Sequence, residues 1–374
     1  MKIGILTLPL MTNYGGILQA YALQTILQRM GYEVGVITLP VTRRLPWLLI
    51  PYSYPKRMIK RYLFQKKVDI FVERTFNREY PIVSKYTQSF IDKYIKQIKV
   101  KKISDLLEKD FDAIVVGSDQ IWRPMYYPQK IEQAYLNFTH SWNIRRVAYA
   151  ASFGTENWEY SFFQTIHCRK LIRKFNAVSV REDTGRALCS RHLNIAAVHV
   201  VDPTMLLTKE DYISLFELVD TPPSKGNMLN YILDETEESD LFLKNIAATN
   251  GWLPFRVNSK VENPNASISE RIQPSVEQWL RGFYDAEFVV TDSFHACVFS
   301  IIFNKPFIVI GNAERGLTRF ESLLRVFGLE DHLLYHFSDY NPNHSYSINV
   351  KALNTKLVQL RNDSLKFLLD SLQK

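Results

Sequence analysis

Apolar and polar positions follow two rhythms along this chain. The opening KIGILTL is a short apolar run, TNYGG is a polar turn, and ILQAYALQTILQRMGYEVGVITL carries apolar residues at helical spacing into a second continuous apolar run. That succession predicts strand, loop, helix and strand, a βαβ unit, with Gly31 at the helix end and VGVITL a strand buried on both faces. Further short runs predict strands at 112–116, 146–150, 177–180 and 199–201, so a first domain extends to about residue 205. Runs at 228–233, 252–257, 288–291 and 307–310 predict a second α/β domain over 206–350. From Lys351 onward, Leu353, Leu357, Leu360, Leu365, Leu368 and Leu372 recur at roughly helical spacing. They predict an amphipathic helix over 351–374, expected to pack back on the first domain. AIVVGSDQIW at 113–122 and EFVVTDSFH at 287–295 both run a strand into a polar turn holding an Asp. The expected architecture is α/β, two Rossmann-like domains facing across a cleft, with both turns beside it, since ligands in open α/β sheets sit beyond the carboxyl ends of the strands.

Composition agrees with two folded cores. The chain has 374 residues, 46% hydrophobic and 22% charged, with no low-complexity tract. MKIGIL reads as a strand and not as a leader peptide, and no stretch approaches the roughly 20 apolar residues of a membrane span. Cys168, Cys189 and Cys297 are far apart and lack metal or redox spacing, which points to reduced thiols and a cytoplasmic protein. HExxH and cysteine-cluster patterns are missing, and no metal site is expected.

Charge changes the picture at one place. The net +8 is matched by Arg43, Arg44, Lys56, Arg57, Lys60, Arg61, Lys66 and Lys67, in a segment, 43–67, without an acidic residue. Trp47, Leu48, Leu49, Ile50, Tyr52 and Tyr54 are interleaved with them. Such a mixture suits either a solvated helical insertion or peripheral contact with an anionic membrane, here its inner face. Nothing beside it reads as a nucleic-acid interface.

Four turns carry candidate chemistry. Asn13, Gly15 and Gly16 lie between a strand and a helix, where backbone N–H groups can cradle a phosphate or part of an acceptor; a ligand-free tight turn is the plainer reading. Asp119, Gln120 and Trp122 follow a buried strand and offer a carboxylate, an amide and a ring plane to a sugar, with Asp119 able to take or hold a hydroxyl proton, unless Ser118 or Asp119 only caps a helix. Arg181 ends another strand and offers a planar fork to carboxylate or phosphate, with an ion pair to Glu182 or Asp183 as the alternative. In the last turn Asp292 or Ser293 can cap a helix whose first turn holds His295, a general-acid candidate; a satisfied core histidine is the alternative. Lys305, Arg315 and Arg319 follow in sequence and are expected to converge on the same sheet edge.

NYGGILQAYALQ, VVGSDQIW, AYAASFG, SVRED, VDPTMLL and VVTDSFHACVFSIIFNKPFIVIG occur in an order that resembles the polysaccharide pyruvyl transferase family over most of the chain. The resemblance implies a fold similar to glycosyltransferases of the B type. It implies transfer of the enolpyruvyl unit of phosphoenolpyruvate onto a sugar of a cell-surface polysaccharide or its lipid-linked precursor, as a ketal, with phosphoenolpyruvate as donor substrate and no cofactor. It casts His295 as the essential histidine and Arg181 as a cleft arginine. Ser293 departs from the pattern, because several characterised members carry arginine two positions before the histidine; Arg315 or Arg319 could replace that cation from the next loop. Two other readings remain: a nucleotide-sugar glycosyltransferase of the same architecture, with Glu314 or Glu321 holding a ribose diol, and a non-catalytic membrane-associated assembly protein.

Overall fold

The computed structural model of the protein describes residues 1–65, 68–127, 129–311 and 316–373. Strands β1 (Lys2–Leu6), β2 (Glu33–Thr38), β3 (Gln97–Lys99), β4 (Ala113–Val116), β5 (Arg145–Ala151), β6 (Ala177–Val180) and β7 (Val198–His199) form one sheet in the order β3-β2-β1-β4-β5-β6-β7. A second sheet holds β8 (Met228–Tyr231), β9 (Pro254–Phe255), β10 (Phe288–Thr291), β11 (Phe307–Ile310) and β12 (Leu333–Leu334) in the order β12-β11-β10-β8-β9. Neighbouring strands pair in parallel, as in Ile5 with Val115 and Val290 with Asn230. Parallel neighbours need crossovers, and helices over both faces bury each strand twice. Hence the continuous apolar runs: AIVV of β4 and FIVI of β11 are buried throughout.

Two short strands, β3 and β12, have no counterpart among the sequence expectations, and β9 is only two residues of the expected 252–257. All three lie toward the edges of their sheets, where neighbour pairing, more than local pattern, makes the strand. The expected basic insertion leaves the sheet after β2. It forms a 3₁₀ turn, Trp47–Leu49, then helix α2 (Ile50–Tyr62), and is followed by α3 (Val72–Val83); Lys66 and Lys67 lie outside the described residues.

The helix α1 (Tyr14–Arg29) belongs to the first sheet, and α4 (Val276–Asp285), α5 (Phe294–Ile302) and α6 (Thr318–Phe327) to the second. A single buried cluster joins them: Tyr14 stacks on Trp279 at 5.3 Å, and its hydroxyl donates to the Pro274 carbonyl at 2.7 Å. The last helix, α7 (Val350–Gln373), lies along the first sheet. There Arg361 donates to the carbonyls of Met205 and Leu207, and the Ser364 hydroxyl accepts from the Val201 N–H. Among the described residues no helix is long and apolar enough to cross a membrane.

Candidate active site

The turn after β1 brings α1 toward the second sheet. Asn13 caps this helix, its Oδ1 accepting from the Gly16 N–H at 3.2 Å. Gly15 is glycine for a steric reason: a Cβ there would stand 2.0 Å from Nδ1 of His295. The imidazole therefore rests on the bare first turn of α1. One residue on, a Cβ at Gly16 would lie 3.6 Å from Asp119 Oδ2, an ordinary contact. His295 and Asp119 thus sit against consecutive residues of one helical turn.

Asp119 itself comes from the turn after β4. It is buried and holds φ +58, a left-handed conformation that Asp tolerates better than most residues, and its carbonyl accepts from the Ser152 N–H. Gln120 lines the cleft, and its amide presses on Gly154, where a Cβ would meet Oε1 at 1.9 Å. Trp122 corrects an expectation. Its ring is fully buried, stacked on Tyr135 at 4.9 Å, with Nε1 donating to the Ala134 carbonyl. The chain turns this ring into the core beneath the turn, so it offers no plane to a sugar.

A residue of the candidate site not singled out from the sequence is Asp202, just past β7. Its Oδ1 accepts from the Thr204 N–H and hydroxyl; its Oδ2 accepts from the Ser118 hydroxyl at 3.0 Å and from Arg181 Nη1 at 2.8 Å. Nε2 of His295 stands 3.7 Å from the same oxygen, beyond hydrogen-bond reach but close enough for charge attraction, and has no hydrogen-bond partner among the described residues. Burial opposes ionisation of Asp202, yet His295 and Arg181 outweigh it and hold the carboxyl well below the usual carboxylate range. The only hint in the sequence was VDPTMLL, an Asp opening a Pro-Thr turn after an apolar run.

Arg181 also needs correcting as a cleft arginine. It lies behind Phe294, its guanidinium 4.3 Å from the ring centroid, bonded to Glu182 and Asp202. Burial alone would lower its pKa, but those two carboxylates raise it above the ordinary arginine value. Its Nη2 lacks a hydrogen-bond partner among the described residues. Arg181 therefore orients Asp202, which in turn faces His295.

On the second sheet, Asp292 does not cap α5. It accepts from the Leu233 and Asp234 N–H groups and so ties the β8 turn to the β10 turn. Ser293 occupies the cap position without a capping side-chain bond and lines the cleft. Arg319, at the start of α6, is buried beside Phe294 and lines the cleft as well. Burial, then repulsion from Arg181, depress its pKa to about 10. Lys305 lies elsewhere. It follows the carboxyl end of α5 and precedes β11, which places it at the amino edge of the sheet, where Nζ donates to the Tyr284 carbonyl. A crossover helix runs opposite to its strands, so the residue after it returns to the edge away from the cleft. Arg315 and Glu314 lie outside the described residues, and Glu321 accepts from the Tyr335 hydroxyl.

These groups border a cleft of about 800 Å³ between the sheets. His295, Ser293 and Arg319 border it, and so do Asp234, Glu235, Glu237 and Asp240 from the turn and helix after β8, together with Lys260. Glu235 is paired with Arg256. Among the described residues no group of three or more His, Cys, Asp or Glu side chains is placed to hold a metal ion.

Similarity to known proteins is faint in sequence but broad in coverage. None of the curated proteins matches the chain. Among solved structures it is similar to the UDP-GlcNAc 2-epimerase of Neisseria meningitidis bound to UDP-GlcNAc, at 12% identity over 97% of this chain and 100% of that one, TM-score 0.45. It is similar to MurG of Acinetobacter baumannii, at 12% identity over 100% and 99%, TM-score 0.42. It is also similar to the UDP-GlcNAc 2-epimerase of Methanocaldococcus jannaschii in complex with UDP-GlcNAc and UDP, at 12% identity over 99% of both chains, TM-score 0.45. The family model "Polysaccharide pyruvyl transferase" matches residues 13–314, from the cap of α1 past His295 and β11. The chain belongs to the polysaccharide pyruvyl transferase family.

Proposed function

We propose that the protein transfers the pyruvyl unit of phosphoenolpyruvate to two hydroxyls of one sugar, in a cell-surface polysaccharide or its lipid-linked precursor, forming a ketal. The observation that carries this reading is His295, held against the first turn of α1 with Asp119 on the neighbouring residue and the Asp202 carboxylate 3.7 Å behind it. A proton donor and a carboxylate thus face one space.

In this mechanism His295 protonates the methylene carbon of the donor, leaving positive charge on the carbon that bears phosphate. One sugar hydroxyl adds to that carbon as Asp119 accepts or steadies its proton. The second hydroxyl then displaces phosphate and closes the ring. One hydroxyl proton replaces the one given to the methyl group, and the other leaves with phosphate. Asp202 stays anionic throughout and supports the imidazole each time it carries a proton, as fixed charge in a dry site does best. The donor's carboxylate and phosphate belong beside Arg319 and Ser293, near the amino terminus of α5. Glu237 and Asp240, on the helix after β8, line the same cleft and offer carboxylates to the hydroxyls of a sugar.

The deciding experiment incubates the protein with phosphoenolpyruvate and candidate glycans, reading phosphate release and the mass of a pyruvyl adduct. Consumption of a nucleotide sugar without phosphate release from phosphoenolpyruvate would replace this reading with a glycosyltransferase. Unchanged glycan pyruvylation in cells carrying His295→Ala would replace it with a non-catalytic role.

A further inference from the structure

Helix α2 turns its apolar side outward. Tyr54, Ser53 and Arg57 face the body of the protein: Tyr54 meets Phe71 edge-on at 5.1 Å, and Arg57 is bonded to Glu73 and to the Ile70 carbonyl. Tyr52, Ile59 and Leu63, spaced seven and four apart, share the opposite face with Tyr62 on its flank, and all four are exposed. Trp47 and Leu48, in the preceding turn, are exposed too; Trp47, Tyr52 and Leu63 retain 77%, 76% and 77% of their surface. No residue of the turn or of α2 is buried. The exposed Lys56 and Lys60 border this apolar face, Arg44 and Arg61 are exposed in the same segment, and 43–67 contains no acid to neutralise them.

We infer that α2 and the turn before it dock on an anionic phospholipid bilayer, lying in its interface. Apolar and aromatic side chains enter the headgroup boundary while the flanking lysines and arginines meet lipid phosphates. A second copy of this chain fits the face poorly, since an isologous contact would set cations against cations with no acid between. The position adds to the argument. At the root of the segment, Leu39, Pro40 and Tyr80 line an apolar groove of about 570 Å³ together with Pro9 and Leu10; the same loop continues into Thr12 and Asn13 of the cleft. The segment carrying α2 thus leaves the same edge of the first sheet as the Thr12–Asn13 turn of the cleft.

The test is flotation of the full chain with vesicles of pure phosphatidylcholine and of phosphatidylcholine mixed with phosphatidylglycerol. The protein is expected to float with the anionic vesicles, less so at high salt, and to remain behind with the neutral ones. Two variants, Tyr52→Ser/Ile59→Ser/Leu63→Ser and Lys56→Glu/Lys60→Glu/Arg61→Glu, alter exposed side chains and should melt like the parent, each with binding at least about tenfold weaker. Equal flotation of parent and variants overturns the inference, as does absence of binding to anionic vesicles. A concentration-dependent dimer lost in the apolar variant, without vesicle binding by the parent, assigns the face to self-association instead. None of these readouts depends on the reaction the protein catalyses.

Discussion

Nε2 of His295 lies 3.7 Å from Oδ2 of Asp202, a carboxylate supplied by the other sheet and fixed there by Arg181, Ser118 and Thr204. Asp202→Asn keeps the shape and removes the charge. Turnover is expected to fall by about a thousandfold or more with little change in KM, because an imidazole that gains a proton loses its counter-charge. Steady-state rates of phosphate release measure this, and a change of less than fivefold would remove Asp202 from the mechanism.

The same substitution has a stability signature. A carboxyl whose pKa is depressed by folding stabilises the protein above the ordinary carboxylate range, near pH 4, and loses that contribution as acid protonates it. At neutral pH, Asp202→Asn should therefore cost roughly 3 kcal/mol, since Arg181 is left buried with one acid fewer. Below about pH 4 the gap to the parent should narrow. Urea unfolding at neutral and acid pH checks both the sign and the window.

Gly15→Ala tests the contact on which the site is built. The added methyl would stand 2.0 Å from the His295 ring, so the ring must shift, and a displacement of about 1 Å typically costs about a hundredfold in rate. Gly16→Ala, with its nearest atom 3.6 Å away, should cost no more than a few fold. Parallel kinetics on the two variants would sink the assignment if they behaved alike.

Two cations separate by position. Arg319→Gln should raise KM for phosphoenolpyruvate by about tenfold to a hundredfold, the worth of one charge-assisted hydrogen bond. Lys305→Gln, at the far edge of the sheet, should leave KM within twofold. Donor titrations of the two variants decide.

Trp122→Phe should lower unfolding free energy by about 2 kcal/mol, through lost volume and the lost bond to Ala134, and leave KM for the sugar unchanged. A raised acceptor KM at unchanged stability would restore the ring to the sugar site.

What could be read from the residues follows a physical line. Long apolar runs such as AIVV and FIVI announce strands because burial on two faces leaves no polar position. β3 and β12 escape notice because two or three residues become a strand only through their neighbours. His295 was legible because strand, turn and helix are local, whereas Asp202 was not, since its partner comes from another domain. Trp122 misled because a polar turn does not reveal which way its last ring points. Lys305 misled because distance along the chain says nothing about which end of a sheet a crossover returns to. Arg181 was rightly placed at a strand end, but its depth behind Phe294 is a property of packing.

Tyr14 stacked on Trp279, and Gly15 bare beneath His295, also bear on how this protein can vary over time. The two halves meet through a glycine whose missing side chain is the seat of an imidazole from the other half. A recombinant that joined the front of one relative to the back of another would keep both sheets yet lose the reaction wherever that seat was filled. The halves have to be inherited as a matched pair, and change at the turn of α1 and at the start of α5 has to come together.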